Sequence, residues 1–132
     1  MDNRTIEKYR RFHKARLQSR KDELEQRRQF LLSQADKITA VLQGLGATRI
    51  ILYGSVLRPE RFHDRSDLDI IAYGLSFSAW HKGMQRLEEI PELADVTIDL
   101  KCAEEVSSDF LDWVEEQGRE LLREWAGSVR AE

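Results

Sequence analysis

The sequence predicts an α/β (α+β) protein, a small mixed sheet flanked by helices and preceded by one long helix. Three observations carry this. Residues 3–43 contain no Gly or Pro and are rich in Arg, Lys, Glu, Gln and Leu, a helix signal closed by Gly44 and Gly46. Three short apolar runs then follow at 48–53, 68–73 and 94–100, bounded by turn residues. Apolar residues return at helical spacing over 77–90 and 103–125. The order helix, strand, strand, helix, strand, helix is that of a sheet covered by helices.

The long helix is read first. Leu17, Leu24, Leu31, Ile38 and Leu45 recur every seven residues, and Ala35 and Leu42 widen the stripe only in the second half. That second half is expected to pack on the domain. The first half, with Ile6, Tyr9, Phe12 and Leu17, carries a thinner stripe suited to a partner. Residues 1–30 hold ten Lys/Arg against five Asp/Glu, a local charge of +5, while residues 31–132 carry −8, giving −3 overall. A basic arm on an acidic body suits an acidic protein surface or a nucleic acid. A solvated helix laced with i,i+4 charge pairs accounts for it equally well. Two units are expected: an arm over 1–45 and a domain over 46–132.

The first strand, Thr48-Arg49-Ile50-Ile51-Leu52-Tyr53, runs into Gly54-Ser55. Glycine lets backbone approach a phosphate closely, and N–H groups at a helix start cradle anions. Arg58, four residues after Gly54, adds a charge-assisted fork. A polar loop with Pro59 leads to Ser66-Asp67-Leu68-Asp69-Ile70, and residues i and i+2 of a strand face the same way. Asp67 and Asp69 therefore aim together, and Asp99 of the third strand joins them if strands two and three are neighbours. Three converging carboxylates repel one another unless a cation lies between them. Such hard oxygen ligands suit Mg²⁺ or Mn²⁺ beside a triphosphate, the arrangement of two-metal phosphoryl or nucleotidyl transfer.

Gly54-Ser55-x-x-Arg58 with Ser66-Asp67-Leu68-Asp69-Ile70 resembles the G-S-x-A-R-G…S-D-x-D-[LIF] signature of the polymerase-β nucleotidyltransferase superfamily. Size and layout are most similar to its minimal nucleotidyltransferase (MNT) branch, over about residues 47–125, and residues 115–122 resemble that branch's closing helix. The resemblance implies a nucleotidyltransferase fold, with Asp67 and Asp69 binding two Mg²⁺ ions (or Mn²⁺) and Asp99 as third carboxylate and aid to deprotonation. Gly54, Ser55, Arg58 and Ser66 would hold the nucleotide. In this chain eleven residues separate Ser55 from Asp67, longer than the family's usual spacing, and Pro59 stands where a glycine is common.

Many MNT proteins are antitoxins that transfer AMP from ATP to a tyrosine of a HEPN-domain RNase toxin, so the resemblance implies protein AMPylation with such a toxin as partner. A small-molecule nucleotidyltransferase of the aminoglycoside type is the alternative, and a homodimer would be one way to wall its acceptor pocket. A third reading is an antitoxin that neutralises its partner by binding alone. Few aromatics among the arm's charges, and the acidic body, argue against nucleic acid.

The remaining features are quieter. Cys102 is the sole cysteine, so no internal disulfide forms, and His13, His63 and His81 lack zinc-ligand spacing. No apolar run spans a bilayer and the first residues lack a signal-peptide core, so a cytoplasmic location is expected. Trp80, Trp113 and Trp125 are expected in core or interface, Tyr53 and Tyr73 in strand packing, and His63 in a solvated loop. Lys101, two residues after Asp99, is a candidate phosphate neutraliser.

Overall fold

A computed structural model describes residues 2–122 of the 132-residue chain. The helix signal over 3–43 proves to be two helices, α1 (Asn3–Leu32) and α2 (Ala35–Gly44). Asp2 caps α1, its carboxylate accepting the Thr5 N–H at 2.8 Å. The break falls at Ser33-Gln34, where no Gly or Pro marks it. There the Ser33 hydroxyl and N–H both turn back on the Phe30 carbonyl, and the Gln34 N–H takes the Leu31 carbonyl. With these carbonyls engaged the helix stops, and Leu31 of α1 and Ile38 and Leu42 of α2 all reach one core.

Strands β1 (Arg49–Tyr53) and β2 (Leu68–Tyr73) lie where the apolar runs place them, as does helix α3 (Phe77–Glu88), capped by Ser76. The third strand, β3 (Ile98–Cys102), starts later than the alternation from residue 94 suggests. A 3-10 turn at Pro91–Leu93 occupies the approach, and the ladder opens only where the Leu68 N–H meets the Thr97 carbonyl at 2.8 Å. After a 3-10 turn at Ala103–Glu105 comes α4 (Ser108–Gln117).

The reading of one closing helix over 103–125 is corrected: it is shorter, and Arg119–Glu120 form a fourth strand, β4, antiparallel to β1. Gly118 explains the change. A Cβ there would lie 2.5 Å from Ile51 Cγ2 and 2.6 Å from the Val114 carbonyl, so the chain passes against the sheet only as glycine and then joins its edge. The end of that helix reading, with Trp125, lies outside the described residues.

The sheet order is β3-β2-β1-β4, with β2 and β3 parallel and the other pairs antiparallel. One face, with Ile50, Leu52, Ile70 and Leu100, is covered by α1, α2 and α3. The other, with Ile51, Tyr53 and Ile71, is covered by α4 through Val114 and Phe110.

Only the C-terminal part of α1 is seated. Arg20 reaches Asp64 at 2.8 Å, Arg27 reaches Asp95 at 2.5 Å, and Leu31 is buried. Residues 7–23 are exposed throughout, with Tyr9, Phe12 and Leu17 each at least half accessible. Among the described residues no helix is long and apolar enough to cross a membrane.

Candidate active site

Strand register assembles the site. Tyr53 of β1 stands opposite Asp69 of β2, and Asp69 stands beside Asp99 of β3. The three form a row across the sheet, on the face that Ile71 and α4 also share. Asp67 precedes β2 by one residue and is exposed, and its charge is felt at Asp69. The expected neighbourhood of strands two and three is thus realised, and it brings the carboxylates together.

Their mutual repulsion is visible in Asp69. Burial, then the charges of Asp99 and Asp67, push its carboxyl up to about 6, and Lys101 only partly opposes them. Lys101 lies two residues after Asp99, and its ammonium is 2.5 Å from Asp99 Oδ2. Burial works against the charge on Lys101, but Asp99 and Tyr53 outweigh it and hold its pKa above the ordinary value.

Gly54 is required by this arrangement. It adopts φ +86°, and a Cβ would sit 2.3 Å from Asp69 Oδ2. Ser55 opens a 3-10 turn, Ser55–Leu57, which is the helix start that follows Gly54. That turn is held from outside by α1. Arg28, almost wholly buried, donates from Nη1 to the Val56 carbonyl at 3.0 Å, while Glu25 grips the same guanidinium at 2.8 and 2.9 Å. The sequence reading missed Arg28. Its spacing, four after Leu24 and three before Leu31, was the available signal, since it places a charge beside the packing stripe.

Two expected nucleotide contacts are otherwise engaged. Arg58 donates to Gln117 Oε1 at the end of α4, tying the loop to that helix. Ser66 is buried, and its hydroxyl accepts the His63 N–H at 2.9 Å while its own N–H donates to the His63 carbonyl. His63 in turn accepts the Arg65 N–H through Nδ1. Both residues therefore shape the loop that delivers Asp67.

The Tyr53 hydroxyl is sealed from solvent and has no hydrogen-bond partner among the described residues. Burial raises the pKa of its phenol, and the Lys101 ammonium beside it works the other way. Its ring meets Phe110 and Trp113 of α4 edge-on, at 5.8 and 6.2 Å. Trp80 lies apart from this wall, stacked on Phe77 and donating to the Leu100 carbonyl at 2.8 Å.

Among the described residues no group of three or more His, Cys, Asp or Glu side chains is set as a metal cluster. The donor chemistry nevertheless fits a hard divalent cation. Asp67, Asp69 and Asp99 supply only carboxylate oxygens, and a single ammonium, that of Lys101 on Asp99, stands against them.

No family model matches this chain, and no curated protein matches it. Solved structures do. One, a toxin–antitoxin complex with AMP-PNP, is 26% identical over 67% of this chain and 72% of its own, with TM-score 0.55. A second, an MntA–HpeT complex mutated from Asp to Glu at two positions two apart, is 24% identical over the same shares, also at 0.55. A third holds the tri-AMPylated Shewanella oneidensis HEPN toxin with its MNT antitoxin, 24% identical over 69% of this chain and 71% of that one, at 0.51. The chain has the fold of an MNT antitoxin.

Proposed function

We propose that this chain, built on the fold of the MNT antitoxins, is an antitoxin that transfers AMP from ATP to a tyrosine hydroxyl of a HEPN-domain RNase toxin. The observation that carries the reading is the row Asp69–Asp99 on adjacent parallel strands, with Gly54 shaped to the Asp69 carboxylate. A neighbour that holds AMP-PNP, at 26% identity, supports an adenosine triphosphate as donor, and a neighbour with a tri-AMPylated toxin supports the acceptor class.

Gly54 and Ser55 face the phosphates, glycine by close backbone approach and serine by its hydroxyl. Asp67, Asp69 and Asp99 would hold Mg²⁺ or Mn²⁺, which supplies charge neutralisation and polarisation of the phosphates when bound. The acceptor's phenolic oxygen attacks the α-phosphorus, the bond from that phosphorus to the bridging oxygen breaks, and pyrophosphate leaves. The phenolic proton passes to the Asp99 carboxylate, which stands on the outer strand of the three. Arg28 serves from behind, holding the turn after Gly54 to α1.

The test uses ATP labelled on the α-phosphate, Mg²⁺, this protein and the HEPN partner. Label on the partner with wild type and none with Asp69→Asn is the expected result. Transfer by Asp69→Asn at the wild-type rate would refute it.

Neutralisation by binding alone has one observation in its favour: the unseated half of α1, basic and carrying exposed Tyr9, Phe12 and Leu17. We assign that arm to docking an acidic face of the partner. If Asp69→Asn neutralises the partner as fully as wild type, occlusion is the function and transfer is incidental.

A further inference from the structure

We propose that the groove along the outer edge of β3 seats the acceptor protein, taking an apolar side chain that stands a few residues from the acceptor tyrosine in an extended segment. The inference rests on the transfer reading above and adds to it the surface that selects the acceptor.

The direction of attack comes first. Gly54 and Ser55, which hold the phosphates in that reading, follow β1, while Asp99 stands on β3, the last strand on the other side of β2. Displacement at phosphorus runs in line, so the acceptor oxygen enters opposite the departing pyrophosphate. With the pyrophosphate on the β1 side, the acceptor enters over the free edge of β3.

A groove of about 370 Å³ lies along that edge, lined by Leu75, Phe77, Trp80, Leu100, Cys102 and Val106. Lys101 belongs to groove and site alike: it lines the first, and its ammonium lies 2.5 Å from Asp99 Oδ2. Phe77 stacks on Trp80 with ring centroids 5.8 Å apart, and it is 79% exposed, more than any other large apolar side chain among the described residues. A ring this open packs no core, and joined to the groove it makes an apolar mouth of the kind that receives a partner. Strand addition is not the mode of binding. The Trp80 indole N–H donates to the Leu100 carbonyl at 2.8 Å and covers the edge there, so the groove reads side chains instead of backbone. Cys102 lies about 10 Å along the strand from Asp99, the span of about three extended residues. A segment whose tyrosine hydroxyl reaches Asp99 therefore presents a residue about two or three positions away to the groove. Glu105, exposed on the groove's lining, favours a basic neighbour to that apolar residue.

The test uses the full chain and its HEPN partner. Transfer from α-labelled ATP is followed at rising partner concentration, and the Trp80 indole N–H is followed by NMR in ¹⁵N-labelled protein without nucleotide. Phe77→Ser, a change at an exposed position, should raise the KM for the partner about tenfold while kcat and the KM for ATP stay near wild type. Glu105→Lys should raise the KM for the partner as well. The partner should shift the Trp80 indole signal in wild type and, at the same concentration, leave it in place in Phe77→Ser. A wild-type KM for the partner in Phe77→Ser, with an indole signal that the partner does not move, would overturn the groove while transfer stands. A shifted indole signal with no label on the partner would overturn transfer and keep the groove as the partner's seat. Self-association of the chain alone, lost in Phe77→Ser, would assign the groove to a second copy and overturn the proposal.

Discussion

Gly54 and Asp69 are fitted to one another: the carboxylate of Asp69 occupies the space where a side chain on Gly54 would begin, 2.3 Å from an added Cβ. One residue follows the end of β1 and the other lies within β2, paired with Tyr53. Glycine at this position therefore does two things. It permits the turn at φ +86°, and it lets a half-buried carboxylate stand against the backbone of that turn.

Gly54→Ala should consequently damage both stability and chemistry. The left-handed backbone alone costs about 1–3 kcal/mol for a residue with a side chain. The displaced carboxylate should abolish AMP transfer. Denaturant unfolding and the α-labelled ATP assay check the two effects, and full activity in a destabilised Gly54→Ala protein would separate this contact from catalysis.

Asp69 sets a pH dependence in the metal-free protein. Its carboxyl, ordinarily at 3.8, is pushed up to about 6 by burial, Asp99 and Asp67. The native state therefore holds its proton more tightly than the unfolded chain, and stability falls as pH rises through about 4 to 6. Asp69→Asn lacks that loss. In EDTA the variant should melt above wild type at pH near 7.5, and the gap should close below about pH 4. A gap of constant size across the range would show that charge is not its cause.

Arg28 joins α1 to the turn after Gly54 and should be felt at both ends. Arg28→Met leaves the Val56 carbonyl and Glu25 without their partner, a loss of about 1–3 kcal/mol in unfolding free energy. Glu25, held down to about 2 by Arg28 first and Gln29 second, should return toward its ordinary 4.5. A carboxyl titration followed by NMR reads this directly. A Glu25 that stays near 2 in the variant would leave Gln29 as the dominant partner.

Gly118→Ala should detach β4. With Ile51, the Val114 carbonyl and the Leu52 carbonyl all under 3 Å from the added carbon, overpacking costs about 1–3 kcal/mol. The Leu121 N–H, which donates to the Ile50 carbonyl at 2.8 Å, should exchange faster in deuterium. Unchanged protection there would mean that the edge strand does not depend on this close passage.

The carboxylate site was legible in the sequence to an uneven degree. Asp67 and Asp69 share a face because a strand repeats every two residues, and this needs no partner strand to be known. Asp99 was conditional, since only pairing of β2 with β3 places it beside Asp69. Ser66 and Arg58 carry motif spacing, yet the hydroxyl of one closes its own loop and the guanidinium of the other engages Gln117. Tyr53 was rightly read as strand packing. Its orphan hydroxyl depends on which groups of β3 and α4 surround it.

By itself, then, the sequence determined what is periodic or local: the helical stretches, the apolar runs, the glycine after β1 and the common face of Asp67 and Asp69. Those features follow from backbone geometry and side-chain alternation within a few residues. The tertiary structure decided the break at Ser33, the end of α4 at Gly118, the pairing of β4, the clamp of Arg28 on Val56 and the seat of Lys101 on Asp99. Most of these turn on groups distant in the chain meeting at close range, where a carbonyl, a carboxylate or the absence of a Cβ outweighs local propensity. The Ser33 break and the Lys101 seat turn on near neighbours whose side chains choose among several partners that only the folded chain presents.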